Sequence, residues 1–257
     1  MSLFENRLYP VRPFLRPPVP HKAGSVLVFI LIAVALFAAL SYAMLREGRA
    51  PVSMMGAVQA DLAATEIIAY ADAIGKAVQK LRIRGCGEEE FDFHNDVWIN
   101  RGGGLLIPET RNPKRRMDGS CAVFGPAGGL RARMMPDKFL YADPALPTTG
   151  TKEGSLVVQR MAMPGVGTDA QDIILFMPYP RKEVCLKINE KMGIPDIGGD
   201  SPKHEREAVG NYNGSWDGDR HLVDTDGVLA GKRTMCTIDA IDTLPHAYRF
   251  FHVLLAR

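Results

Sequence analysis

The chain has 257 residues, of which 46% are hydrophobic and 23% are charged, and its formal net charge at pH 7 is +2. This composition is typical of a globular chain, and the length allows one or two domains. A large nucleic-acid surface would need a strong excess of lysine and arginine, which is absent. We therefore predict that the chain has no nucleic-acid partner.

Residues 1–24 are predicted to be a basic leader without regular structure. The leader carries four basic residues against one acidic residue, Glu5, and it contains five prolines. Proline lacks a backbone N–H and restricts the residue before it, so a regular helix is excluded here. The basic residues are Arg7, Arg12, Arg16 and Lys22.

The leader is followed at once by an apolar run, Ser25–Met44, of twenty residues with no charge, proline or glycine. A helix of that length, at about 1.5 Å rise per residue, spans roughly 30 Å, which is the hydrocarbon thickness of a bilayer. The run therefore predicts a transmembrane helix over residues 25–45, in contact with membrane lipid. The basic leader on one side predicts a single-pass topology with a cytoplasmic N-terminus and the C-terminal domain outside.

The border between leader and apolar run resembles the class III signal of type IV pilins and type II secretion pseudopilins. The leader ends in Gly24, and the apolar run begins directly at Ser25. The resemblance implies cleavage between these two residues by a prepilin peptidase, and other pilin-like subunits as partners. It also implies that the apolar helix lies in the inner membrane, that it packs in a fibre core, and that the C-terminal domain is periplasmic.

One residue departs from that family. Its members usually carry glutamate at the fifth mature position, which is Phe29 in this chain. The departure is compatible with a minor or tip subunit, or with a subunit that joins no fibre. Two other interpretations stay open: an uncleaved signal anchor of no particular family, and an ordinary secretory signal with small residues at Ser41 and Ala43.

Residues 52–83 predict an amphipathic helix that continues the apolar one. Asp61 lies early and Lys80 late in this stretch, as the helix dipole favours, and Gly85 is expected to end the helix. Apolar and small residues recur at steps of three and four, which predicts one buried face. This face is expected to hold Val58, Leu62, Thr65, Ala69, Ala73, Ala77 and Leu81, and to be widened by Ile67, Ile68, Ile74 and Val78.

Residues 84–257 are predicted to form a separate head. The first part, up to residue 150, is rich in turns, and the second part holds clear strand patterns and a short helix over Arg181–Met192. The last two strand-like runs, 232–238 and 248–255, are expected to pair. The predicted fold class is α+β: a long N-terminal transmembrane and spine helix followed by an antiparallel β-sheet head, as in a pilin.

The chain has four cysteines, an even number that suggests disulfides if the head lies in an oxidising compartment. Three pairings are possible. We favour Cys86 with Cys121 and Cys185 with Cys236, because each pair joins neighbouring elements. Unpaired buried thiols are the alternative.

Two loops carry charged clusters that are candidates for a binding site. Asp217, Asp219, Asp224 and Asp226 offer oxygen ligands near Trp216, but the spacing misses the EF-hand pattern, so a solvated loop with Trp216 exposed to a partner is preferred to a calcium site. The basic cluster of Arg111, Lys114, Arg115 and Arg116 is interpreted as a solvated loop. No metal and no cofactor are predicted.

Catalytic motifs find little support in the chain. His204-Glu205 lacks a second histidine at the zincin spacing, and Ser215 does not lie in a G-x-S-x-G turn. His252 lies within an apolar strand pattern and is predicted to be structural. The sequence therefore predicts a non-catalytic, membrane-anchored subunit of a pilus-like or pseudopilus assembly. The alternative is an anchored periplasmic binding or scaffold protein that does not polymerise.

Overall fold

The structure is a computed structural model of the chain. It describes residues 28–37, 56–102, 105–108, 111–140, 155–206, 210–216, 220–241 and 247–257. These residues belong to two compact units, Met1–Met54 and Met55–Arg257.

In the first unit, residues 28–37 form helix α1. These ten described residues cover roughly 15 Å at about 1.5 Å per residue. Within the described ranges, no helix is both long enough and apolar enough to cross a membrane. The predicted long N-terminal transmembrane and spine helix is therefore wrong, and so is the single-pass inner-membrane location that depended on it. The other residues of the predicted span, 25–27 and 38–45, lie outside the described part.

The second unit begins with the longest described helix, α2, which runs over Ala57–Ile83 within the predicted range 52–83. Lys80 and Arg82 lie in its last turn, where their positive charge interacts favourably with the negative end of the helix dipole. Gly85 follows the helix with a φ of 89°, a left-handed conformation that glycine adopts without steric cost. The chain therefore turns sharply before Cys86.

In the described part of the chain, nine strands form two sheets. The first pair, β1 (Ile99–Gly102) and β2 (Leu105–Pro108), is antiparallel. The others form a seven-stranded sheet in the order β6-β3-β4-β9-β8-β5-β7. Their bounds are Val157–Met161 for β3, Asp172–Pro178 for β4, Lys203–Arg206 for β5, Gly210–Asn211 for β6, Leu222–Asp224 for β7, Thr234–Asp239 for β8 and Tyr248–Leu255 for β9.

The main sheet is mixed, so the prediction of a purely antiparallel head is also wrong. β5 runs parallel to β8, with Lys203 opposite Ile238 and His204 opposite Asp239. The sequence of β5, Lys203–Arg206, is polar throughout and has no apolar alternation, so the strand could not be recognised within the polar segment 195–231. The expected pairing of the last two strands, β8 and β9, is observed and is antiparallel.

The central strands are buried on both faces, which explains their nearly continuous apolar sequences. On one face, Leu175 and Phe250 belong to a core that also contains the buried side of α2. On the other face, Phe176 and Phe251 belong to a second core with Met235. Successive strand residues thus enter opposite cores, as the two-residue period of a strand requires.

The second helix of this unit, α3, runs over Lys182–Met192 and ends at Gly193, as predicted. Gly193 has a φ of 63°, and its amide donates to the carbonyl of Glu190. Two disulfides are present, so the prediction of disulfide bonds is confirmed. They join Cys86 to Cys121, with Cα atoms 5.8 Å apart, and Cys185 to Cys236, 5.1 Å apart.

Candidate interaction surface

Helix α1 exposes a continuous apolar surface. Phe29 is 70% exposed, and every other large apolar side chain of residues 28–37 is at least half exposed. Surfaces of this kind usually mark a contact with another molecule. The predicted processing residues, Gly24 and Ser25, lie outside the described residues. The exposed side chains are Val28, Phe29, Ile30, Leu31, Ile32, Val34, Leu36 and Phe37.

Helix α2 has a second exposed apolar edge, which was predicted to be buried. Val58 is 74% exposed and Leu62 is 63% exposed, and the same side of the helix continues through Thr65 and Ala69. The predicted face is buried at Ile67, Ile74, Ala77, Val78 and Leu81, as expected, and it is exposed at Val58, Leu62, Thr65 and Ala69. The true buried face is dominated by alanine and holds Ala60, Ala63, Ala64, Ile67, Tyr70, Ala71, Ile74, Ala77, Val78 and Leu81.

The alanines explain why the first part of this buried face, Ala60, Ala63 and Ala64, was not recognised. Small side chains let a helix approach its neighbours closely, but they carry a weaker hydrophobic signal than valine or leucine. Asp61 of α2 forms an ion pair with Lys191 of α3, with 2.7 Å between Oδ1 and Nζ. This partly exposed ion pair joins α2 to α3.

The basic cluster is held by ion pairs to an acidic segment. Lys114 Nζ lies 2.8 Å from Glu89, and Arg116 Nη2 lies 2.9 Å from Glu90. Hydrogen bonding to Arg116 lowers the pKa of the Glu90 carboxyl. The sequence interpretation of a solvated loop was incomplete, because these exposed pairs join the loop to the segment that follows α2. The acidic run Glu88–Glu90 was the sequence signal for this contact.

The aspartate loop is organised by backbone hydrogen bonds. Asp224 accepts from the amides of Gly227 and Leu229, and Asp226 accepts from the amide of Lys203. Asp217 and Asp219 lie outside the described residues. Across the residues that are described, no group of three or more potential metal ligands is found.

Trp216 is half-buried and does not stand out in solvent as the sequence suggested. The Arg257 guanidinium lies 3.8 Å from the centre of its ring, and the Tyr212 ring packs against it at 6.0 Å. Arg257 Nε also pairs with Glu88 at 2.9 Å. The indole is thus a packing residue of the second unit.

Two buried histidines pair with threonines of strand β8. Thr234 Oγ1 lies 2.8 Å from His252 Nδ1, and Thr237 Oγ1 lies 2.8 Å from His204 Nδ1. Asp72 of α2 approaches His252 Nε2 at 3.8 Å. This hydroxyl, imidazole and carboxylate lie between α2 and the sheet, with Thr234 and His252 both buried. A substrate would need access to the hydroxyl, so the arrangement fits a structural role.

His252 is expected to make the fold acid-sensitive. Burial lowers the pKa of its imidazole to about 4, Arg233 lowers it further, and Asp72 partly opposes the change. Because the pKa of His252 is lower in the folded state, the unfolded chain binds a proton at this residue first as the pH falls. The free energy of unfolding is therefore at its full value above pH ~6.5 and decreases as the pH falls toward 4. Over that interval the loss amounts to roughly 3 kcal/mol.

The measurement is the free energy of unfolding in urea at pH 7, 5.5 and 4, for the wild type and His252→Gln. The glutamine side chain stays neutral, so the difference between the two proteins should change by the stated amount over this range. All other titrating groups are shared and cancel. Parallel pH profiles for the two proteins would contradict the assignment.

Comparisons of the chain with protein-family models, with curated proteins and with solved structures find no match.

Proposed function

We propose that this chain is a non-catalytic subunit of a pilus-like or pseudopilus assembly and occupies a minor or tip position in it. The observation that carries the proposal is the apolar surface of α1, whose eight large side chains are all at least half exposed. Burying one such side chain stabilises an interface by about 1.5–3 kcal/mol, so an isolated α1 is a poor final state. Helix packing between subunits would cover it.

The exposed edge of α2 supports the same role. Val58 and Leu62 lie one helical turn apart, which is the spacing at which a neighbouring helix packs. Phe29 supports the minor or tip position, because a subunit without the usual glutamate offers no carboxylate to the amine of a neighbour. The resemblance at Gly24-Ser25 supports processing before assembly.

The first experiment determines the N-terminus of the protein produced in a host that contains a prepilin peptidase. The expected first residue is Ser25. Gly24→Leu should remain uncleaved, whereas the control Gly56→Leu should be processed normally, because a Cβ atom added at Gly56 meets no atom within 4 Å. A wild-type protein that begins at Met1 would contradict the proposal.

The second experiment tests contact between subunits through α2. A cysteine in place of Leu62 should cross-link to another subunit with a short bis-maleimide. A cysteine in place of the exposed Gln79, on a different side of the same helix, should not. Equal cross-linking at both positions, or at neither, would argue against assembly through this edge.

A further inference from the structure

An open cleft lies on the second unit, and neither Val58 nor Leu62 lines it. Its volume is about 490 Å³, within the range that binds small ligands or a few residues of a peptide. Four short segments form its walls: 92–97, residue 111, 122–125 and 130–132. The cleft combines apolar and charged side chains.

Two arginines at the cleft differ from the basic residues around them. Lys114, Arg116 and Arg133 each form a close ion pair with a carboxylate. Arg111 and Arg131 both line the cleft and both are exposed, and no ion pair or side-chain hydrogen bond links either of them to any other residue in the described ranges. Their guanidinium groups are therefore available to an anion.

The acidic residues at the cleft do not neutralise these arginines. Asp92 accepts hydrogen bonds from the amides of His94 and Asn112, and its other oxygen lies 4.0 Å from Arg115. The Asp96 side chain is 97% exposed at the rim, with its carboxylate 3.7 Å from His94 Nε2. Among the described residues, no carboxylate lies within ion-pair distance of Arg111 or Arg131, so both guanidinium groups stay open to an anionic ligand.

The apolar wall has a rigid support. Phe124 lies in the cleft and packs edge-on against Trp98, with ring centres 4.8 Å apart. Trp98 is buried, and its indole N–H donates to the carbonyl of Arg133 at 2.9 Å. Together with the half-buried Leu130, Phe124 offers a preformed apolar surface next to the arginines.

The backbone at Ala132 offers a site for an extended chain. Tyr70 Oη donates to the carbonyl of Arg131 and accepts from the amide of Arg133. Neither hydrogen bond uses the backbone groups of Ala132, which lies between these two residues. Ala132 lines the cleft, and its backbone groups have no hydrogen-bond partner among the described residues.

We propose that this cleft binds an extended, acidic peptide segment of a partner protein. Arg111 and Arg131 hold a carboxylate side chain of the segment, the backbone of Ala132 pairs with its main chain, and Phe124 with Leu130 contacts an apolar neighbour. This mode adds main-chain hydrogen bonds to charge recognition, as in other strand-addition sites. The inference goes beyond the proposed function and does not depend on it.

The test uses the full chain and a pair of acetylated, amidated pentapeptides. One peptide contains two glutamates that alternate with apolar or hydroxyl residues, and the other has glutamines in their place. Calorimetry measures binding of each peptide at low and physiological salt, and inorganic phosphate is measured as a separate ligand. We expect the acidic peptide to bind at least tenfold more tightly than the glutamine peptide and than phosphate, and to weaken with salt.

Variants then assign the charge contacts. Arg111→Ala and Arg131→Ala should each weaken binding of the acidic peptide by about tenfold, which corresponds to about 1.4 kcal/mol. Arg131→Lys should restore part of the loss because it keeps the charge. Lys203→Ala is the matched control, since Lys203 is an exposed basic residue on strand β5 and does not line the cleft. Circular dichroism and the melting temperature establish that each variant is folded.

Several results would overturn the proposal. The first is equal binding of the glutamine peptide, and the second is phosphate binding at least as tight as that of the acidic peptide. The third is unchanged affinity in folded Arg111→Ala and Arg131→Ala. Absence of measurable binding by the folded wild type at millimolar peptide would overturn it as well.

Discussion

Replacing both Cys185 and Cys236 by alanine is expected to lower the free energy of unfolding by about 4 kcal/mol. The disulfide closes a ring across a sequence separation of 51 residues, and the stabilisation follows from the conformational entropy that this ring removes from the unfolded chain. The bond joins α3 to strand β8, and both cysteines are fully buried. Urea unfolding of the double variant and the wild type, both under non-reducing conditions, measures the loss.

The second disulfide is the matched comparison. Cys86 and Cys121 are separated by 35 residues, so the chain-entropy term predicts nearly the same loss, again about 4 kcal/mol, for their double alanine variant. If the Cys185 and Cys236 variant loses less than about 1 kcal/mol, the ring does not stabilise the fold by constraining the unfolded chain.

Asn189→Ala is expected to cost about as much as the loss of a disulfide, roughly 2–6 kcal/mol. Asn189 Oδ1 accepts from the amide of Cys236 at 2.9 Å, and its Nδ2 donates to the carbonyl of the same residue at 2.7 Å. The side chain thus bonds one residue of β8 in the way a neighbouring strand would. Alanine leaves two buried backbone groups unpaired, at about 1–3 kcal/mol each.

The measurement again is urea unfolding, with Glu190→Ala as the control because Glu190 is exposed on the same turn of α3. Asn189→Asp separates the two bonds, since it keeps an acceptor for the Cys236 amide but removes the donor to its carbonyl. We expect the order of stability to be wild type, then the glutamate control within about 0.5 kcal/mol, then both Asn189 variants far below. An Asn189→Ala variant as stable as the control would show that solvent replaces the lost bonds.

The second of these predictions depends on a residue that sequence analysis did not select. Asn189 occupies a buried position of a short helix and has no motif around it. Its role follows from the place where β8 passes α3, before the pairing of β8 with β5 begins at Ile238. No local pattern in the chain encodes a hydrogen bond between residues that lie 47 positions apart.

The cleft was missed for a similar reason. Arg111 was grouped with the basic cluster that follows it, although its neighbours Lys114 and Arg116 have acidic partners and Arg111 does not within the described part. Arg131 carried no signal at all. Which arginine is paired depends on segments brought together by the fold, chiefly the acidic residues after α2.

The sequence by itself determined the local features of this protein. An even number of cysteines indicated disulfides, Gly193 marked the end of α3, and the apolar runs located strands β4 and β9. In each case the physical cause lies within a few residues: a redox-active side chain, a left-handed backbone conformation, or burial on both faces of a strand.

Only the tertiary structure decided which surfaces are covered. The exposed edge at Val58 and Leu62, the parallel pairing of β5 with β8, and the unpaired arginines at the cleft each depend on contacts between distant segments. The apolar run after Gly24 suggested a bilayer-spanning helix from hydropathy alone, whereas no helix among the described residues is long and apolar enough to cross one. Hydropathy measures only the tendency of a segment to leave water. The three-dimensional arrangement decides whether lipid, the rest of the chain or a partner covers that segment.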